Sequence, residues 1–226
     1  MSVLGAMAVK FTQSRGGLLV FFCVAGTYLV QRYGKKAIVI GAIVFVPLMM
    51  VMSGEKRGDA DASQEERIEL QRTGTQFWQT YPIAGVGYGQ YLEYHYMTTH
   101  NSYILLLAEL GLVGTTLWAT IMYLSFKVPA LALLRYRRRP ESRVASIWAT
   151  ASISSMAGLC VGIFFLSFYS HFVPWILVGF NGAMSHCIRQ HDPTWTVRVK
   201  RKEVGLVAVG ALAFGLISSV ALRFMH

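Results

Sequence analysis

Long apolar blocks separated by short basic stretches dominate the chain. A membrane-spanning helix needs about 20 predominantly apolar residues. Five blocks approach or exceed that length: Gly17–Val30, Ala37–Met52, Leu110–Leu134, Ala145–Phe168 and Val204–Leu222. A sixth, Phe172–Met184, becomes adequate when extended to Ile188, and Met1–Val9 reads as the last turns of a further span. Gly and Pro inside these blocks do not oppose helix, because neighbouring groups in a membrane bundle satisfy the freed backbone. The pattern therefore predicts an all-α, polytopic helical membrane protein with about six transmembrane helices. Met1–Lys10 has no basic leading region and too short an apolar run for a secretory signal.

One stretch, Gly54 to about His100, has soluble character and holds seven of the eleven acidic residues. Its opening, GEKRGDADASQEER, is polar throughout and is expected to be mobile. From Glu65 to Thr80 the apolar positions Ile68, Leu70, Phe77 and Trp78 predict a loosely amphipathic helix. Ser63 and Glu66 have capping-box spacing at its start, and Tyr81-Pro82 ends it. Gly85, Gly87 and Gly89 then predict a flexible turn.

Composition agrees with the pattern. Of 226 residues, 54% are hydrophobic and 14% charged, against roughly a quarter charged in soluble domains. Disorder, a collagen-like fibre and a disulfide-stapled miniprotein are excluded. The net charge of +10 does not describe a nucleic-acid binder, because the basic residues cluster between the apolar blocks. Arg135, Arg137, Arg138, Arg139 and Arg143 form one cluster, and Arg198, Lys200, Arg201 and Lys202 another. Fourteen of the 21 Lys and Arg residues fall on one side of the predicted topology. By the positive-inside rule that side is cytoplasmic, so the 54–100 loop faces outward. Cys23, Cys160 and Cys187 show no metal or redox spacing and read as packing residues.

The most suggestive stretch for chemistry is Thr98-Thr99-His100-Asn101-Ser102-Tyr103, where an imidazole opens a helix at the membrane surface. On that helix His100 would share a face with Tyr103, Ile104 and Leu107. Glu109 lies nine residues on, about 900° around and about 13.5 Å along, so it cannot pair with His100. It reads instead as support for another helix or as a cap for a buried donor. From the residues alone, plain structural readings stand beside the functional ones. An interfacial histidine is often just a hydrogen-bonded surface residue, Arg15 fits a snorkelling anchor, and Arg67 and Arg72 could balance Glu65, Glu66 and Glu69. Other chemistries fit poorly. GVGYG lacks the dinucleotide-binding spacing, and neither a phosphate loop nor a GxSxG elbow occurs. His95/His100 and His186/His191 would point about 140° apart on a helix, which argues against a metal site.

Taken in order, FTQSRGG (11–17), Arg67, Trp78, YPIAGVGYG (81–89) and THNSYILLLAELGLVG (99–114) resemble the bacterial O-antigen ligase and polysaccharide polymerase superfamily. The resemblance runs from about Phe11 to Phe126 and more faintly through FFLSFYSHFVPWILVGF (164–180). It implies one membrane domain over 1–226, with a ligase-like core at 11–126 and C-terminal transmembrane helices at 145–222. It also implies a helical, lipid-phosphosugar-dependent glycosyltransferase of the bacterial inner membrane, working on the periplasmic face without metal or other cofactor. The donor would be an undecaprenyl-pyrophosphate-linked glycan. The acceptor would be a hydroxyl on lipid A core, on another glycan or on a protein, and the transfer would invert the anomeric centre. By the same resemblance His100 is the catalytic base, and Arg15 and Arg67 bind the pyrophosphate with Arg72 as runner-up. Asn101, Tyr103, Gly85, Gly87 and Glu109 support the site, the glycines by letting backbone approach the glycan. Relatives of this type carry further membrane helices before the SRG segment, so upstream sequence or a partner chain is expected to supply them. The rival expectation is a non-catalytic subunit or truncated fragment that keeps the motif as packing.

Overall fold

In the computed structural model, residues 15–34, 36, 57–137 and 142–224 are described. They form seven helices and, among the described residues, no strand. In chain order these are α1 (Arg15–Tyr33), α2 (Arg57–Thr80), α3 (Tyr91–Tyr94), α4 (Ser102–Tyr136), α5 (Arg143–Gly162), α6 (Phe172–His191) and α7 (Arg201–Phe224). Three of them, α4, α5 and α7, are long and apolar enough to cross a membrane. The fold is thus that of a helical membrane protein, but six spans are not reached among the described residues. α1 and α6 run 19 and 20 residues and carry Gln31 and Arg32, and Asn181, His186 and Arg189, which lower their apolar character. The predicted span Ala37–Met52 and the remnant Met1–Val9 lie outside the described residues.

The helices share two ends. At one, Ser102 N–H donates to the Ile163 carbonyl at 2.9 Å, joining the start of α4 to the end of α5. Arg72 Nε donates to the Leu222 carbonyl at 2.8 Å, bringing the end of α7 to α2. At the other end, Arg137 reaches the Gln31 carbonyl, Tyr136 Oη donates to Asp192, and Lys127 pairs with Glu203 at 2.5 Å. Arg32, Arg135, Arg143, Arg189, Arg198 and Lys200–Lys202 all sit at this second end, in keeping with the side-sorting read from the sequence.

The 54–100 stretch differs most from expectation. The helix expected from Glu65 instead begins at Arg57 and continues through Ser63 without interruption. Ser63 is therefore inside the helix and not its cap. Ala60, Ala62, Gln64, Glu65 and Glu66 are strong helix formers, and their propensity extends the helix through a segment whose polarity suggested mobility. The far end is as expected: α2 stops at Thr80, before Pro82. Of its apolar face, Leu70 and Trp78 are buried. Trp78 lies against Gly215 of α7, where a Cβ would come within 2.7 Å of the indole.

Two further helix boundaries matter for the site. α5 ends at Gly162 and does not run on to Phe168. Ser102 helps hold residues 163–168 out of helix: its Oγ donates to the Leu166 carbonyl at 2.6 Å and accepts from Phe168 N–H at 2.7 Å. Within α4, Gly111 takes φ 60°, ψ −165° and breaks the helix in two. The second piece, from residue 112 to 136, matches the predicted span Leu110–Leu134.

Candidate active site

The break in α4 is filled by the glycine turn. In an unbroken helix, Leu112 and Val113 N–H would donate to the Ala108 and Glu109 carbonyls. Here Leu112 N–H donates to Pro82 O at 2.8 Å and Val113 N–H to Ile83 O at 3.1 Å. The carbonyls so released accept from the turn: Ala108 O from Val86 N–H and Glu109 O from Gly87 N–H, both at 2.9 Å. Each missing helical bond is replaced by one across the contact, as buried backbone groups require. The backbones approach so closely that a Cβ on Gly85 would lie 2.4 Å from the Glu109 carbonyl carbon. One on Gly111 would lie 2.4 Å from that of Ile83. Both glycines have left-handed φ, +70° and +60°. The close approach Gly85 makes is thus to α4.

Glu109 is buried just above the break, and Tyr169 Oη donates to its Oε2. The carboxylate therefore supports another segment, one of the two structural roles expected of it. Its partner comes from the 163–171 stretch, 60 residues away in sequence, which no local pattern could reveal.

The first turn of α4 is capped by Asn101, whose Oδ1 accepts from Tyr103 N–H at 3.0 Å and Ile104 N–H at 3.3 Å. Asn101 and Thr99 are fully buried, and Thr99 Oγ1 donates to the Asn101 carbonyl at 2.7 Å. Tyr103 Oη donates to the Cys160 carbonyl at 2.9 Å, fastening α4 to α5. Asn101 and Tyr103 are thereby accounted for by cap and packing.

His100 is placed differently from expectation. It precedes the cap, so it does not share a helical face with Tyr103, Ile104 and Leu107. Its φ is +52°, and it is the one non-glycine residue with positive φ among the described residues. That conformation costs an L-residue about 1–2 kcal/mol, and such outliers concentrate at functional sites. The turn leaves His100 partly exposed between two buried neighbours. Its imidazole makes no side-chain hydrogen bond with a described residue.

α2 brings charge to this imidazole. At Gly74 a Cβ would lie 2.8 Å from Ile104 and 2.9 Å from Thr99, so α2 crosses the start of α4 there. Arg67 stands seven residues earlier, about 700° around the helix and so on nearly the same face. Partial burial and the Arg67 guanidinium hold the His100 pKa below its ordinary value, and Glu66 opposes them. Glu66 Oε1 also accepts from Tyr96 Oη at 2.5 Å. Arg67 is exposed and makes no hydrogen bond or ion pair with a described residue. Arg72, five residues on, is turned about 140° away from Arg67 and serves the end of α7 through Leu222. Arg15 is the first residue of α1; its side chain lies outside the described residues. Its neighbour Gly16 rests on Phe165, where a Cβ would come within 3.3 Å, so this helix start adjoins the segment that Ser102 holds.

His95 is not helical, and its ring stacks on Tyr91, 6.1 Å between centroids. The angular comparison with His100 therefore has no helix to act on.

Against the family models, residues 1–119 match the one described as O-antigen ligase. No curated protein and no solved structure matches the chain. The matched stretch takes in α2, the exchange between Gly85 and Gly111, the capped start of α4 and His100 itself. It covers more than half of the 226 residues, and on that ground the chain belongs to the O-antigen ligase family.

Proposed function

We propose that this protein transfers an undecaprenyl-pyrophosphate-linked glycan to a hydroxyl acceptor, with His100 as base and Arg67 and Arg15 as the pyrophosphate clamp. The family supports a role in glycan transfer during polysaccharide assembly. The observation that supports the finer reading is geometric: α2 crosses the start of α4 at Gly74, on the face that carries Arg67, beside the partly exposed, left-handed His100, and neither His100 nor Arg67 makes a side-chain hydrogen bond or ion pair with a described residue.

The chemistry follows from those groups. The acceptor hydroxyl gives its proton to the neutral imidazole as its oxygen attacks the anomeric carbon. The bond from that carbon to the pyrophosphate oxygen breaks, and undecaprenyl pyrophosphate leaves. Attack opposite the leaving group inverts the anomeric centre. Charge grows on the pyrophosphate, and arginine forks stabilise it without a divalent ion. Lipid A core, a growing glycan or a protein hydroxyl would each serve as acceptor.

The rival reading, a non-catalytic subunit, draws on Asn101, Tyr103 and Gly85, all of which have packing roles. A pH–rate profile separates the two. A base with a lowered pKa gives kcat/KM an acidic limb below the ordinary histidine value of about 6.5. Arg67→Gln removes a charge that lowers the His100 pKa, so the limb should move to higher pH. Glu66→Gln removes one that raises it, so the limb should move lower. Shifts in the same direction, or none, would remove His100 as the titrating base.

Orientation has its own test. In a background lacking Cys23, Cys160 and Cys187, a cysteine at position 63 should be labelled from the periplasm and one at 142 should not. The reverse pattern would overturn the periplasmic placement of His100.

A further inference from the structure

At the basic end of the bundle, opposite His100, a cavity of about 370 Å³ opens between α4 and α6. One wall is apolar: Ile121, Leu124 and Val128 of α4, Val178 of α6, and Val197 from the segment before α7. Ser125 and Ser185 add a polar strip, and the exposed side chains of His186 and Arg189 complete the lining. The segment carrying Val197 is held on both sides. Asp192 pairs with Arg135 at 2.6 Å, and Lys127 Nζ donates to the Arg198 carbonyl at 2.9 Å. Between them, Trp195 is buried and donates to Ser185 Oγ at 2.9 Å. The cavity is therefore built by fixed walls.

Arg189 brings positive charge to its mouth. Arg189 makes no hydrogen bond or ion pair with any described residue. Asn181, 1% exposed, lies on the same stripe of α6 as Val178 and Ser185. Its Nδ2 donates to Ser125 Oγ at 3.0 Å, while its Oδ1 finds no donor among the described residues. Asn181 does not itself line the cavity, so its oxygen is no part of the site.

We propose that the cavity holds one anionic phospholipid of the phosphatidylglycerol type from the leaflet at this end. An acyl chain lies along the isoleucine, leucine and valine wall. The headgroup phosphate meets Arg189 and His186, and the head glycerol extends past them toward water. Basic pockets between membrane helices on the cytoplasmic side are characteristic sites for such headgroups. The apolar wall favours a lipid over a free anion.

Native mass spectrometry of the full chain in detergent tests this with three probes: dioleoyl phosphatidylglycerol, dioleoyl phosphatidylcholine and inorganic phosphate. Wild type should bind one phosphatidylglycerol about tenfold more tightly than phosphatidylcholine, the difference a charge-assisted contact makes. Arg189→Gln should erase that preference. Arg223→Gln, at the opposite end, should keep it. Gly182→Leu should lose the bound lipid, since nothing lies within 4 Å of a Cβ there and the new side chain can enter the cavity. Equal binding of the two lipids would overturn the proposal, as would a preference that survives Arg189→Gln. Displacement of the lipid by an equal concentration of inorganic phosphate would show a simple anion site and overturn it too.

Discussion

His100→Ala should lower glycan transfer by about 10²–10⁴-fold, the usual contribution of a positioned general base. The loss should appear without a loss of folded protein. His100 is partly exposed, precedes the Asn101 cap and has no hydrogen bond to a described residue, so its removal leaves no packing partner stranded. Relief of its left-handed backbone does not follow, because alanine suffers the same φ of +52°. A thermal melt close to wild type, beside a collapse in rate, is therefore the expected pair of results. An equal fall in melting temperature and rate would make the residue structural.

Gly111→Ala and Gly85→Ala should be the most destabilising single changes in the α2–α4 region. Each adds a Cβ about 2.4 Å from the facing backbone, at a φ that alanine adopts with strain. Neither strand can retreat without breaking the four exchanged hydrogen bonds. Left-handed strain, overpacking and weakened buried bonds together predict a loss of about 3–5 kcal/mol. Gly89→Ala is the control. Its φ is also positive, at +75°, but nothing lies within 4 Å of the new Cβ, so about 1–2 kcal/mol of backbone strain is the whole effect. Thermal unfolding in detergent should rank Gly89→Ala well above the other two, with cleavage in the 81–90 segment rising for Gly85→Ala and Gly111→Ala. Similar stabilities for all three would mean that the exchange does not hold the site together.

How much of this was legible in the sequence depends on the range of each interaction. Apolar block length located the helical span ending α4, and Lys and Arg placement separated the two ends. Pro82 marked the end of α2. The start of α2 is hidden from hydropathy, because its stretch of Ala, Gln and Glu is polar yet strongly helix-forming. The motif marks His100 but not its placement: Asn101 takes the cap, and the backbone turns at His100. Gly85 and Gly111 were both visible, but nothing local shows that they face each other. The partner of Glu109, the latch from Ser102 to residues 163–168 and the crossing at Gly74 are long-range contacts. Only the fold brings them together. Gly74 with Arg67 seven residues before it was a usable signal, since that spacing on a helix places both on one face.

In the proposed reaction the chain moves a glycan from a lipid pyrophosphate using His100. The most direct measurement is transfer from a purified undecaprenyl-pyrophosphate-linked donor to a hydroxyl acceptor, in EDTA. Wild type should form the glycosylated acceptor, with inverted anomeric configuration, and His100→Ala should form it at least about a hundredfold more slowly. Transfer that His100→Ala leaves unimpaired, or a wild type that needs a divalent metal, would contradict the proposed reaction.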